Sequence, residues 1–240
     1  MNPAATACAP IAFDPDLGVI RLSRAHLDAL VDRRAPTRPL DPQGSLADLE
    51  AVGALERDGR LHPALVGVVD VLGRARSRFF LRQWRRRGRR ILEGVVGPDG
   101  IVVLPGGNDS GVPGDVWFDP RPTALARTLA GLIGLGPSTG EVRPPDDVLR
   151  WDEVRSLATD PPSWVTRSVG AGDDVCLHDV VWQHPSDGPR GSVLVLVDLG
   201  GTGLATVEAV DGNPACGYRL VARRPEEIWT GLCRLARSAP

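Results

Sequence analysis

The chain has 240 residues, of which 42% are hydrophobic and 24% charged, enough for one large domain or two small ones around a core. Its formal net charge of −2 provides no long-range field to draw the whole molecule onto nucleic acid or an anionic membrane, so either target would need a local patch. All 28 basic residues are arginines, and the lack of lysine excludes Schiff-base chemistry, pyridoxal phosphate included, and the lysine of a phosphate-binding P-loop.

In chain order, a first strand is expected over 18–22, followed by a helix over 24–31 with Ser23 as its N-cap and Leu27, Leu30 and Val31 as its apolar stripe. Residues 36–42, rich in proline, read as a loop. Ser45 with Asp48 resembles a capping box that opens a short helix ending at Gly53, and Pro63 starts a helix along Leu65, Val66, Val69 and Leu72. The period then changes from helical to alternating. Residues 79–84, 91–96 and 101–104 read as strands, with Pro98-Asp99-Gly100 as the turn between the last two. A short strand at 116–118 leads through Asp119-Pro120 into a helix carrying Leu125, Leu129, Leu132 and Ile133.

A Pro/Gly-rich linker follows, and beyond it the scheme recurs. Strands are expected at 164–169, 175–182, 192–199 and 204–210, with Gly200-Gly201-Thr202-Gly203 as a hairpin turn. A last strand at 218–221 leads into a helix opened by Pro225, with Ile228, Leu232 and Leu235 on its inner face. Gly114, Pro122, Leu125, Leu129 and Leu132 stand at the same spacings as Gly217, Pro225, Ile228, Leu232 and Leu235, which points to an internal repeat. The expected organisation is therefore an N-terminal α/β half over 1–135, a linker over 136–150 and a C-terminal α/β half over 151–240. The fold class is α+β: two quasi-symmetric subdomains, each a largely antiparallel sheet with a terminal amphipathic helix, around a central sheet.

Four patterns invite a chemical reading, and each has a plainer one. Gly136-Pro137-Ser138-Thr139-Gly140 fits a nucleophile elbow but lacks the strand before and the helix after it. Asn108-Asp109-Ser110-Gly111 has no room upstream for the two barrels of a serine protease. The strand ending in Asp198-Leu199-Gly200-Gly201-Thr202 resembles a kinase phosphate turn, but too little chain follows it. His178 and Asp179 are adjacent on a strand, so they point to opposite faces and cannot form a simple dyad. The acidic pairs Asp14/Asp16, Asp146/Asp147, Asp152/Glu153 and Asp173/Asp174 fall mostly in expected loops.

Cys8, Cys176, Cys216 and Cys233 lack metal-ligand spacing, and three of them sit in apolar contexts, so no metal site and no cofactor are expected. Residues 1–10 have no basic n-region, and the most apolar run, 193–197, falls far short of the roughly 20 residues that span a bilayer. A cytoplasmic protein without membrane insertion is expected.

A separate pattern is a run of arginines, Arg74, Arg76, Arg78, Arg82, Arg85, Arg86, Arg87, Arg89 and Arg90, interleaved with Phe79, Phe80 and Trp84. Arginine with aromatics suits a nucleic-acid surface. On alternating strands it equally suits a solvated edge or a protein-binding rim, with Arg85-Arg86-Arg87-Gly88 at the tip.

The order of elements resembles that of the EspG family, cytosolic chaperones of type VII secretion systems in actinobacteria. The resemblance runs over nearly the whole chain. Its features are the opening strand and helix over 19–31, the segment Leu46-Ala47-Asp48-Leu49-Glu50-Ala51-Val52-Gly53-Ala54-Leu55, and the helix over 63–72 leading into the arginine-bearing strand. Val116-Trp117-Phe118 and the helix over 120–133 close the first half, and Pro225-Glu226-Glu227-Ile228-Trp229 opens the last helix. The family's long loop between its second and third strands is here only about 84–89.

The resemblance implies a non-enzymatic chaperone that binds another protein, a helical export substrate, and keeps it soluble. Aromatics and arginines are the expected anchors: Phe79, Trp84, Arg85, Arg86, Arg87, Trp182 and Trp229, each aromatic having a core role as its alternative. The competing reading is a nucleic-acid-associated regulator using the arginine-rich strand 74–90.

Overall fold

A computed structural model describes residues 10–34, 43–86, 88–106, 113–136, 144, 146–161, 163, 175–184, 188–199 and 203–238. The expected loop at 36–42, the strand at 164–169, the Asn108–Gly111 motif, the serine of the elbow-like motif, most of the 200–203 turn, Cys8, Asp173, Asp174 and Arg87 lie outside these residues.

The strands are β1 (Ala12–Asp14), β2 (Val19–Leu22), β3 (Ser77–Arg85), β4 (Gly88–Gly97), β5 (Gly100–Pro105), β6 (Gly114–Asp115), β7 (Trp117–Asp119), β8 (Cys176–His184), β9 (Gly188–Asp198), β10 (Leu204–Ala209) and β11 (Tyr218–Arg223). Three form a small sheet in the order β1-β2-β6, and eight form a large one in the order β11-β10-β9-β8-β3-β4-β5-β7. The fold is α+β and its large sheet antiparallel. The strand order has its own symmetry: β3-β4-β5-β7 runs outward one way and β8-β9-β10-β11 the other, each series followed in the chain by a helix. Both series belong to the eight-stranded sheet.

The chain divides into two compact units, residues 1–78 with 92–122 and residues 79–91 with 123–240. In the first, β1 and β2 form a hairpin and β2 also pairs β6. Only the second strand of this hairpin is visible in the sequence pattern. Ser23 Oγ accepts the His26 amide at 3.4 Å and caps α1 (Arg24–Arg34), as its position suggests. Helix α2 (Gln43–Ala51) begins two residues ahead of Ser45, so that serine stands inside the helix and the capping-box expectation is corrected. Leu55 and Leu61 bridge across the turn that follows. Helix α3 (Pro63–Gly73) starts at the expected proline, and its cap is the imidazole of His62, whose Nδ1 accepts the Ala64 amide at 3.2 Å.

The first unit's core joins Leu27 and Leu30 of α1, Leu49 of α2, Leu65, Val68, Val69 and Val71 of α3, and Val95, Val102 and Leu104 of the sheet. The Pro98-Asp99 turn brings Gly100, at φ +156°, so close to the next strand that a Cβ there would stand 2.5 Å from the Asp119 carbonyl oxygen. Only glycine fits that approach.

In the second unit, α4 (Leu125–Ile133) starts after a 3-10 turn at Pro122–Ala124, five residues later than Pro120, because Asp119 folds back to accept the amide and guanidinium of Arg121. A short helix α5 (Trp151–Ser156) occupies a stretch read as loop. Asp152 and Glu153 form its first turn, and Glu153 caps it by accepting the Arg150 amide at 2.6 Å. Leu149 bridges to Tyr218 on the edge strand β11. The last helix, α6 (Pro225–Ser238), buries Ile228 and Leu232 and packs against α4. At the helical ends of the proposed repeat stand α4 and α6, each following the outermost strand of its series. The glycine ends differ, since Gly114 belongs to the small sheet and Gly217 precedes an edge of the large one. Among the described residues no helix is long and apolar enough to cross a membrane.

Glu93 of β4 is the ionic tie of the first unit. Its carboxylate accepts Arg24 of α1 at 2.7 Å and Arg78 of β3 at 2.8 Å, and its side chain is 10% exposed. Burial alone would lower the pKa of Arg24, but the carboxylates of Glu93 and Asp28 offset this and hold it above its usual value. Replacing Glu93 with glutamine leaves two guanidinium groups facing a neutral amide. Glu93→Gln is expected to lower unfolding free energy by about 2 kcal/mol, below the full cost of breaking a dry pair because both arginines reach solvent. Urea denaturation of the two proteins measures it.

Candidate partner-binding surface

β3 alternates Phe79, Leu81 and Gln83, all buried, with Arg78, Arg82 and Trp84, all half-buried. Such alternation follows from the pleat, which sends neighbouring side chains to opposite faces. The two faces solve their chemistry differently. On one, Phe79 stacks on Trp182 of β8 with ring centroids 6.0 Å apart and planes 14° from parallel. Both rings are buried, so the core role given above as their alternative is the one they fill. On the other, the Arg82 guanidinium stands 3.4 Å from Asp179, a carboxylate that is 1% exposed.

Beyond Arg82 no carboxylate among the described residues pairs with the run. Arg85, Arg86, Arg89 and Arg90 are all exposed at the β3–β4 tip, and among the described residues none has an ion-pair partner. Arginines nearer the start of the run are paired: Arg74 with Asp99 at 2.7 Å and Arg78 with Glu93. Among the described residues the tip is thus a cationic patch without ion-pair partners, on a chain whose net charge is slightly negative. Arg89 lies over the Trp84 ring, 5.3 Å from its centroid. The rest of Trp84 packs on a cluster that includes Val154, Leu177, Val195 and Leu220. Arg89 and Arg90, at the start of β4, belong to this patch as much as Arg85 and Arg86 do; their place in the same arginine run is the signal that marks them. Trp229, on α6, is 41% exposed.

His178 and Asp179 take opposite faces of β8, as their adjacency requires. His178 faces α4. The Gln83 amide nitrogen donates to the Leu132 carbonyl at 2.9 Å and meets His178 Nδ1 at 3.0 Å. Because that nitrogen is a donor, Nδ1 accepts and the ring proton belongs on Nε2, which has no partner among the described residues. Cys176 Sγ lies 4.0 Å from the same ring, but thiol and imidazole are both buried, at 3% and 1% exposure, out of reach of a substrate. Among the described residues no cluster of three or more His, Cys, Asp or Glu is placed to hold a metal ion.

Burial, helped by the positive charge of Arg85, lowers the His178 pKa to about 4 from 6.5. In the unfolded chain the imidazole takes a proton as pH falls through 6.5, while in the fold it stays neutral until about 4. Stability is thus unaffected by this residue above pH 6.5 and falls with pH between 6.5 and 4. The loss reaches on the order of 3 kcal/mol, since each tenfold difference in proton affinity between folded and unfolded chain is worth about 1.4 kcal/mol. Substitution by glutamine removes the titrating group, so denaturant titrations at pH 7 and pH 4.5 should differ less for His178→Gln than for the parent.

No protein-family model matches the chain, and no curated protein does. Solved structures do. One is the Mycobacterium tuberculosis type VII secretion system chaperone EspG5, solved in complex with a PE25-PPE41 dimer. The match has a TM-score of 0.50 and 14% identity, and covers 92% of this chain and 97% of that one. At that identity the likeness is one of fold, and it extends over nearly the full length of both chains.

Proposed function

We propose that this chain is a non-enzymatic, cytoplasmic protein-binding chaperone of the EspG kind, which holds a helical export substrate soluble until it is handed on. The observation that carries the reading is the shared fold across 92% of the chain, since that solved structure is itself of a chaperone holding a protein dimer. The described surface suits the role. It offers a cationic tip of Arg85, Arg86, Arg89 and Arg90, a half-buried Trp84 beside it and an exposed Trp229. Arginine and tryptophan are the residue types that most often anchor protein interfaces.

The second reading, a nucleic-acid-associated regulator, draws on the same unpaired arginines. A single-strand surface also needs free aromatic faces for the bases to stack on. Here Arg89 lies over the Trp84 ring, Trp84 packs in part on the neighbouring core cluster, and Phe79 is buried. With Phe79 buried and Trp84 only partly accessible, the arginine strand itself offers little ring surface for stacking, which favours a protein partner.

The test is affinity purification of tagged protein from its native host. The expected result is stoichiometric recovery of a helical-hairpin protein encoded nearby, in a complex that survives moderate salt; absence of such a partner ends the chaperone reading. Arg85→Ala with Arg86→Ala is expected to weaken that complex about tenfold, roughly 1.4 kcal/mol, as for the loss of interface anchors. Retention on a polyanion column that falls steeply with salt, and disappears in the same double variant, would favour the nucleic-acid reading instead.

A further inference from the structure

The first unit contains an open cavity of about 340 Å³ that no part of the chaperone reading uses. Leu30 and Arg33 of α1, Leu55, Gly59 and Leu61 of the bridged turn, and Val66 of α3 line it. Its floor is aliphatic. Leu30 and Leu55 are buried, while Leu61 and Val66 are only partly covered. The charge at its rim belongs to Arg33. The guanidinium of this residue lies directly on the backbone of Gly59, where a Cβ would stand 1.9 Å from one of its nitrogens. Gly59 has φ +79°, a left-handed backbone conformation that favours glycine, and this leaves the backbone open to the guanidinium.

The nearby carboxylates do not neutralise this charge. Glu56 and Asp58 are both held by Arg60, at 3.0 and 2.7 Å, and among the described residues Arg33 has no ion-pair partner. A guanidinium offers a planar fork of donors that matches a carboxylate, and the volume falls at the lower end of the range for small-ligand sites.

We propose that this cavity binds a small aliphatic carboxylate of medium chain length, its tail on Leu30, Leu55, Leu61 and Val66 and its head group on Arg33. The site is independent of the cationic tip and does not require the chaperone function. Isothermal titration with octanoate, hexanoate and octanol tests it on the full chain. Octanoate is expected to bind saturably, and each methylene removed should weaken binding about fourfold, the equivalent of about 0.8 kcal/mol per CH₂. Octanol, which lacks the charge, should bind at least about tenfold more weakly, as should octanoate to Arg33→Gln, because charged hydrogen bonds contribute more than neutral ones. Val66→Trp should fill the cavity and abolish binding. Arg33 keeps its charge at the rim of the cavity rather than in the core, so its variant is informative even if the tryptophan variant misfolds. Absence of saturable octanoate binding, equal affinity for octanol, or full octanoate affinity in Arg33→Gln would overturn the assignment.

Discussion

A strand with neighbours on both sides must satisfy both of its faces at once, and β3 must do so while carrying several arginines. Its solution is positional. Arg78 reaches Glu93 and Arg82 reaches Asp179, so the two inner arginines meet carboxylates set into the adjoining strands. An unpaired charge at such a site would be costly, whereas at the tip water is available and no partner is needed. Arg85, Arg86, Arg89 and Arg90 stand there. The same pleat that fixes the core therefore leaves the unpaired positive charge of β3 and β4 at the tip between them.

The opposite face of β3 carries a polar link inside an apolar layer. Gln83 joins the Leu132 carbonyl of α4 to the imidazole of His178, tying the helix to two strands at one point. Phe79, Trp182, Leu81 and Val180 enclose this face, which keeps water away and leaves the imidazole neutral. A buried polar contact of this kind adds little net stability but disfavours other registers of the helix on the sheet, since any shift would leave the amide unpaired.

Much of the fold is legible in the sequence because its periods are strong. The alternation across 79–84 and the i, i+4, i+7 spacing of Ile228, Leu232 and Leu235 each admit one regular structure, and β3 and α6 follow them. Short elements are not legible on the same terms. β1 has three residues and β6 two, fewer than a period needs to repeat. α5 is hidden because Asp152 and Glu153 look like loop acids until Glu153 is seen capping the helix from its third position. The aromatics show the limit for sites. Parity groups Phe79 with Leu81 and Gln83, and Trp182 with His178, yet nothing in either strand alone says which face the helices cover. The cavity beside Arg33 is drawn from three separate segments and leaves no local pattern at all.

The bridge between Leu149 and Tyr218 bears on solubility as well as on shape. β11 is an outer strand of the large sheet, and outer strands offer unpaired amides and carbonyls to any extended chain that drifts past. Leu149 exchanges both backbone hydrogen bonds with Tyr218 at 2.8 Å and so occupies the first docking position. Arg219 is exposed along the remainder of a strand only six residues long, and Arg223 is paired with Glu208 of the next strand. An intruding strand would find a short, charged and partly blocked template, so the molecule is guarded against stacking into open-ended ribbons at that margin.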